Sequence, residues 1–265
     1  MIDTHCHIDD SAYEYDREEV IQRQKMNEVE DIIVPGVDED SVSTITTLCH
    51  QYPRFLFPAL GLHPENIKDN GQRQLNLIKA AIDSMKDVTA VGEIGLDYHY
   101  SKENKEIQQN VYATQLHWAH ERNLPVIVHN RDATQDVLEI TKKEYDKSLT
   151  TNHPLRGVIH CFSGSLETAN EWIKIGFFLG IGGVVTFRNS TLPKTLTNVP
   201  IENIILETDG PFLTPTPFRG QRNESRYISY VIDKLVSIYP MSYNEIEDVT
   251  SHNAIRLFNL HPHGT

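Results

Sequence analysis

Short apolar runs alternate along the chain with longer polar stretches in which apolar residues recur at helical spacing. The apolar runs cover residues 2–7, 31–37, 55–62, 88–96, 125–129, 157–162, 176–183 and 201–208. The stretches with helical spacing include residues 18–28, 73–85, 104–121, 133–145 and 165–175. Because strands that alternate with helices are joined by parallel crossovers, eight such units close into a barrel. The pattern therefore predicts an α/β fold of the (β/α)8 TIM-barrel type.

The last crossover of this barrel has the weakest pattern. Residues 189–198 form a short stretch that Pro193 divides, and proline interrupts the interior of a helix. Elsewhere the chain contains no repeat, no low-complexity run and no Pro/Gly-rich linker. A barrel of this type takes about 250 residues. We therefore expect one domain over residues 1–265.

Composition narrows the class of protein. No stretch approaches about 18 uncharged apolar residues and no basic leader precedes an apolar segment, so neither a membrane span nor a secretory signal is predicted. Three cysteines are too few for a disulfide framework, which favours the cytoplasm. The net charge of -13 argues against a broad basic surface that coats nucleic acid. It leaves nuclease activity open, because metal ions neutralise clustered carboxylates. Nothing in the sequence indicates an obligate protein partner.

Histidine and acidic residues lie at the ends of the predicted strands. At or just after these ends lie His5, His7, His63, Glu93, Asp97, His129, His160 and Asp209. In TIM barrels the active site is formed where the C-terminal ends of the strands meet. We therefore expect these side chains to meet at one end of the barrel.

The residue types at these positions indicate a metal site. His5 and His7 are two residues apart, so in a strand both imidazoles point to the same face, and neutral imidazole is a common metal ligand. Glu93 follows Gly92, and small neighbours allow one carboxylate to approach two cations. The predicted ligands are His5, His7, Glu93, His129, His160 and Asp209. A set without thiolates is typical of an open catalytic site with two divalent ions rather than of structural zinc. Such shells accept Mg, Mn or Zn, and the sequence leaves the choice open.

Basic and amide side chains beside these positions are candidates for binding an anionic substrate. Arg131 lies two residues after His129, and Arg219, Arg222 and Asn223 lie in the segment that follows the eighth strand. Arg188, beyond the seventh strand, is a further candidate. The planar guanidinium group matches the geometry of phosphate oxygens.

Taken together, these motifs resemble the TatD-related family of metal-dependent DNases. The matching segments are residues 3–7, 61–64, 92–98, 129–133, 160–164, 207–211, 219–220, 223–224 and 253–258. They occur in the order of the family and span nearly the whole chain. The resemblance implies a TIM barrel of the metal-dependent hydrolase type and hydrolysis of DNA phosphodiesters. Three positions depart from the usual family pattern, namely Asn130, Gly210 and Ser225, and none of them is a ligand position.

The resemblance also assigns roles by position. One metal would take His5, His7, Glu93 and Asp209, and the other would take Glu93, His129 and His160. His63 would lie in the active site near the scissile phosphate, and Arg131 would contact phosphate.

The expected function is that of a cytoplasmic deoxyribonuclease with DNA as its substrate. A metal-activated water would attack the phosphodiester, Asp209 would orient or deprotonate that water, and Glu93 would bridge the metals. The absence of a basic stripe favours a short substrate segment, so we expect exonucleolytic action on single strands or ends. One alternative is hydrolysis of another ester, a lactone or an amide on the same fold. A second alternative is a non-enzymatic, metal-loaded binding protein.

Overall fold

Eight parallel strands form one sheet in the computed structural model, which describes residues 1–100, 103–151 and 153–260. The strands are β1 (Ile2–Asp3), β2 (Asp31–Pro35), β3 (Leu56–Leu60), β4 (Ala90–Asp97), β5 (Val126–Arg131), β6 (Gly157–Ile159), β7 (Phe178–Ile181) and β8 (Ile204–Leu206). Each strand pairs in parallel with the next along the chain. The main-chain N–H of Thr4 donates to Leu206 O at 3.0 Å, and that of Asp209 donates to His5 O at 2.8 Å. The end of the sheet thus returns beside its beginning, and the predicted (β/α)8 barrel is confirmed.

Helices connect successive strands, and further helices follow the last strand. They are α1 (Arg17–Met26), α2 (Ser41–Gln51), α3 (Gln72–Ser84), α4 (Lys105–Glu121), α5 (Thr134–Ser148), α6 (Leu166–Lys174), α7 (Leu192–Leu196), α8 (Ile228–Val236) and α9 (Tyr243–Phe258). The weakly patterned crossover contains α7, whose first turn includes Pro193. Proline is tolerated there because a first-turn N–H has no intrahelical partner. Among the described residues, no helix is both long and apolar enough to cross a bilayer.

The interior of the barrel is apolar near the N-terminal ends of the strands. Each strand contributes one buried residue to a common cluster, and the last turns of α9 cover it with Ala254, Leu257 and Phe258. The strand residues are Ile2, Ile33, Ala59, Ala90, Ile127, Val158, Phe178 and Ile205. This cluster, with the residues of α9, is called the basal cluster below.

Further along the strands the same interior face becomes polar. Side chains alternate along a strand, so the residues two positions after Ile127, Val158 and Ile205 share their face, and these are His129, His160 and Glu207. Glu93 does not follow this rule, because it lies three positions after Ala90. The pairing of β4 with β5 shifts register between Val91 and Ile94, and an irregularity of this kind re-aims a side chain. The shift places Glu93 among the histidines.

Candidate metal centre

A cavity of about 500 Å³ opens at the C-terminal ends of the strands. The residues that line it include His7, Asp9, His63, Glu93, Asp97, Tyr100, His129, Arg131, His160, Asp209 and Phe212. His5 is fully buried beside this cavity, with its Nε2 atom 3.1 Å from His7 Nε2. The structure therefore brings all the predicted ligands together at one end of the barrel.

Glu93 lies at the middle of this group, and its two carboxylate oxygens face different histidines. Oε2 is 3.2 Å from His5 Nε2 and 3.5 Å from His7 Nε2. Oε1 is 2.9 Å from His129 Nδ1, and more distant contacts of 3.6 and 3.9 Å reach His63 Nε2 and His160 Nε2. One carboxylate thus divides the imidazoles into a group on the Oε2 side and a group on the Oε1 side.

Two glycines allow Glu93 to come this close to β5. A Cβ atom on Gly92 would lie 2.7 Å from Ile127 Cβ. A Cβ atom on Gly95 would lie 2.0 Å from His129 O, and the backbone there has a φ of 151°, which side chains rarely tolerate. The close approach of β4 and β5 therefore depends on both glycines.

Asp209 closes the centre from the side of β8. Its Oδ1 atom is 3.6 Å from both His5 Nε2 and His160 Nε2 and 3.8 Å from His7 Nε2. The backbone at Asp209 has a φ of 59°, a conformation that aspartate adopts more readily than most residues. Its N–H donates to His5 O, which fixes the carboxylate next to the first strand.

Burial and close packing shift the pKa values of these groups. Burial raises the pKa of Asp209 to about 6, although His160 and His7 oppose the change. Burial also raises the pKa of Glu93, but the surrounding histidines, His5 foremost, outweigh it and hold that pKa well below its usual range. Burial lowers the pKa of His129, yet hydrogen bonds to Asp97 and Glu93 outweigh it and raise this pKa to about 9. Without metal, the His129 ring is therefore protonated between the two carboxylates, whereas burial lowers the pKa values of His5 and His63 and keeps these rings neutral.

The donor atoms fit divalent cations. Three groups have ligand atoms within 4.8 Å of one another: His5, Glu93 and His160; His5, His7 and Asp209; and His63, Glu93 and His129. Mixed nitrogen and oxygen donors suit Zn, Mn and related ions, and carboxylates suit Mg and Mn. Cations held here would replace the protons of the histidines, because only neutral imidazole coordinates a metal.

His63 has a hydrogen-bonding pattern that separates it from the other histidines. The main-chain N–H of Glu65 donates to His63 Nδ1 at 3.2 Å. The neutral ring must therefore carry its hydrogen on Nε2, which points towards Glu93. This tautomer makes Nε2 a hydrogen-bond donor that faces the cavity.

Two buried carboxylates lie behind the histidines of the Oε1 side. Asp97 Oδ2 is 2.9 Å from His129 Nε2, and Glu207 Oε1 is 3.2 Å from His160 Nδ1. The sequence left Asp97 open between a role behind a metal ligand and a contact with substrate, and it gave no role to Glu207. The signal for Glu207 is its position two residues after Ile205, because alternation along an extended chain places both side chains on the interior face.

The predicted substrate-binding residues do not all lie at the cavity. Arg131 lines the cavity, with its guanidinium group 5.1 Å from the ring centre of Tyr100. Arg219 donates to Thr214 O and lies over the ring of Phe187, at 3.9 Å from its centre. Neither Arg219 nor the exposed Arg188 lines the cavity.

Two of the predicted substrate-binding residues, Arg222 and Asn223, have hydrogen-bond partners within the protein. Arg222 binds the carboxylate of Asp16 with two hydrogen bonds of 2.7 Å and reaches Glu224 at 3.4 Å. Asn223 is fully buried, and its amide donates to the main-chain oxygens of Thr208 and Phe212. Asn223 and Arg222 therefore hold the loop after β8 in place, and neither lines the cavity; their assignment as substrate contacts stays a prediction.

Comparison with known proteins agrees with this fold and with a metal-dependent hydrolase. The family model described as TatD related DNase matches residues 2–259. YabD of Bacillus subtilis (strain 168), named an uncharacterized metal-dependent hydrolase, is 41% identical over 261 residues, which cover 98% of this chain and 99% of YabD. YjjV of Escherichia coli (strain K12), named in the same way, is 34% identical over 262 residues, or 98% of each chain.

A solved structure of YjjV from Escherichia coli K12, described as a TatD homolog, superposes with a TM-score of 0.89 at 30% identity and covers 98% of both chains. The TatD family protein of Entamoeba histolytica, at 22% identity, shares the fold with a TM-score of 0.85 over 97% of each chain. The chain therefore belongs to the TatD-related DNase family of metal-dependent hydrolases.

Proposed function

We propose that this protein is a deoxyribonuclease that hydrolyses phosphodiester bonds at the ends of single DNA strands with two divalent metal ions. The observation that carries the proposal is the division of the histidines by Glu93. His5 and His7 face Oε2, whereas His129, His63 and His160 face Oε1. A carboxylate with separate ligands at each oxygen is the arrangement that bridges two cations.

The residues would share the ions as follows. His5, His7 and Asp209 would hold one ion, His129 and His160 would hold the other, and Glu93 would serve both. Two ions bound in this way would lower the pKa of water and neutralise charge on the attacking and leaving oxygens of a phosphodiester.

The protein side chains would supply the proton transfer and the orientation. Asp209 is the carboxylate of the centre with the larger exposed fraction, 17% of its side chain against 4% for Glu93. It is therefore placed to accept the proton of the attacking water. His63 would donate its Nε2 hydrogen to a non-bridging phosphate oxygen, and Arg131 would bind the neighbouring phosphate at the wall of the cavity.

The rim of the cavity supports a strand end as the substrate. Tyr100 and Phe212 line it and are 75% and 54% exposed, and exposed aromatic rings beside a phosphate site can stack on unpaired bases. The net charge of -13 disfavours long electrostatic tracking along duplex DNA. The unpaired thiols of Cys6, Cys49 and Cys161 are consistent with a reducing compartment, so we place the reaction in the cytoplasm.

End-labelled single-stranded DNA tests the proposal. With Mg, Mn or Zn present, we expect shortening from one end that a chelator stops and that His129→Ala abolishes. His117→Ala is the matched control, because His117 is an exposed histidine that pairs with Glu121 on α4. Circular single-stranded DNA should resist, and cleavage of the circle would contradict the requirement for an end. Turnover of lactones or amides without cleavage of DNA would overturn the proposal in favour of another hydrolase.

A further inference from the structure

We infer that Asp97 and Glu207 are positioning residues for His129 and His160, and that they make the metal position on the Oε1 side of Glu93 the tighter of the two. The inference rests on the proposed two-metal function. It concerns which ion binds more strongly and which buried side chains cause the difference.

Asp97 orients the imidazole of His129 from behind. The ring lies between two carboxylates, with Nδ1 at 2.9 Å from Glu93 Oε1 and Nε2 at 2.9 Å from Asp97 Oδ2. Asp97 is itself fixed, because its Oδ1 accepts the N–H of His99 at 2.8 Å and its main-chain N–H donates to Gln108 Oε1 at 2.9 Å. With Nε2 held by Asp97, Nδ1 is the nitrogen that faces the centre.

Glu207 lies behind His160 in a similar position, but as an ion-pair contact rather than a hydrogen bond. It is buried, with 1% of its surface exposed, and its Oε1 lies 3.2 Å from His160 Nδ1. The same oxygen accepts the main-chain N–H of Cys161 at 2.5 Å. Gly180 provides the space, because a Cβ atom there would lie 2.3 Å from Glu207 Oε2. The strand end is thus built to accommodate this carboxylate, and His160 Nε2 is left to face the centre.

The Oε2 side differs at His5. Among the described residues, the buried Nδ1 atoms of His5 and His160 both lack a hydrogen bond, but Glu207 Oε1 lies 3.2 Å from His160 Nδ1, whereas the carboxylate contacts of His5 are all made by its Nε2 atom. The His5 ring is held by packing instead, stacked on His160 with ring centres 3.6 Å apart. One side of Glu93 therefore has two histidines backed by carboxylates, and the other includes a histidine without such a partner.

General metalloprotein chemistry connects this difference with affinity. A carboxylate behind a ligand histidine fixes its tautomer and ring orientation and strengthens it as a ligand, and its removal lowers metal affinity by about 10- to 100-fold. Because Asp97 and Glu207 act on the two histidines of one ion, their loss should weaken that ion selectively.

Calorimetric titration of the chelator-stripped full chain with Mn²⁺ or Zn²⁺ tests the inference. The wild type should bind two ions with separate affinities. Asp97→Asn and Glu207→Gln should each weaken the tighter event by about 10- to 100-fold and leave the weaker one nearly unchanged. Glu139→Gln is the control, since Glu139 is an exposed carboxylate on α5, outside the cavity. The visible spectrum of bound Co²⁺ should change in Asp97→Asn and Glu207→Gln and stay the same in Glu139→Gln.

The outcomes separate this inference from the proposed function. If both positioning variants bind metal as the wild type does, or if both binding events weaken equally, the inference is overturned whatever the protein hydrolyses. If the selective loss is found but the wild type cleaves no DNA, the nuclease proposal fails and the positioning roles stand. A wild type that binds a single ion, or none, overturns the inference together with the two-metal centre.

Discussion

The same strands contribute apolar side chains at one end of the barrel and polar, ionisable side chains at the other. At the N-terminal end, Ile127 and Val158 join the apolar basal cluster, which α9 covers with Leu257 and Phe258. Two residues further on, the same strands carry His129 and His160, and the interior holds imidazoles and carboxylates instead. Burying charged groups costs free energy unless they are paired or bind a metal. The comparison indicates that the N-terminal end with the basal cluster, called the base below, stabilises the fold. The C-terminal end with the candidate metal centre, called the mouth below, loses stability because its charged groups are buried.

Substitution at the mouth should give the largest change in activity. Glu93→Gln keeps the size of the side chain and removes the charge between the two groups of histidines. If metal ions supply several kcal/mol of transition-state stabilisation, kcat/KM should fall by about 1,000-fold or more. Steady-state kinetics on labelled DNA and elemental analysis for bound metal check this. Glu139→Gln, an exposed change on α5, should have no effect, and full activity in Glu93→Gln would refute the bridging role.

Substitution at the base should lower the free energy of unfolding and leave the activity of the folded protein unchanged. Phe258 is 3% exposed in the basal cluster, and truncation of a buried phenylalanine costs about 3–5 kcal/mol. We expect Phe258→Ala to lower the free energy of unfolding in urea by about that amount, with kcat/KM per folded molecule unchanged. Tyr15→Ala removes an aromatic ring that is 97% exposed and should leave both quantities unchanged. A large loss of activity in folded Phe258→Ala would show that the two ends are coupled.

Sequence periodicity predicted the strands of the barrel and most of the residues at the mouth. Alternation along β5 and β6 places His129 and His160 on the interior face, and the rule for TIM barrels places them at the active end. The position of Glu93 among them depends on the register shift in β4, which no local pattern announces. The helix α2, SVSTITTLCHQ in sequence, was not predicted because serine, threonine and β-branched residues have low intrinsic helix propensity.

Contacts between distant parts of the chain were also beyond the sequence. Arg222 looked like a phosphate ligand because its loop follows the last strand, but Asp16, 206 positions away, occupies its guanidinium group. Whether an arginine faces substrate or a carboxylate depends on which segment packs beside it. Only the tertiary structure determines that neighbour.

A change in pH should act on metal binding at the mouth. The pKa of His129 is about 9 and that of His160 about 10, since carboxylate contacts outweigh burial at both residues. Both imidazoles are therefore protonated near neutral pH without metal and must lose their protons to bind it. Metal affinity should rise with pH from about 6 to 8, by up to about tenfold per pH unit for each proton released. Calorimetry in buffers of different ionisation enthalpy counts these protons, and an affinity independent of pH would contradict the shifts.

The smallest expected effects are those of replacing Arg131 and Arg222, because each change should affect a different quantity, KM in one case and the free energy of unfolding in the other. Arg131→Ala should raise KM for DNA about fivefold, because loss of one exposed phosphate contact is worth about 1 kcal/mol, while kcat and the free energy of unfolding should stay nearly constant. Arg222→Ala should do the opposite, since it breaks the pair with Asp16 and lowers the free energy of unfolding by about 1 kcal/mol without changing KM. Kinetics and urea denaturation on both variants provide the test. If Arg222→Ala raised KM as much as Arg131→Ala, the loop after β8 would reach the substrate despite its internal partners.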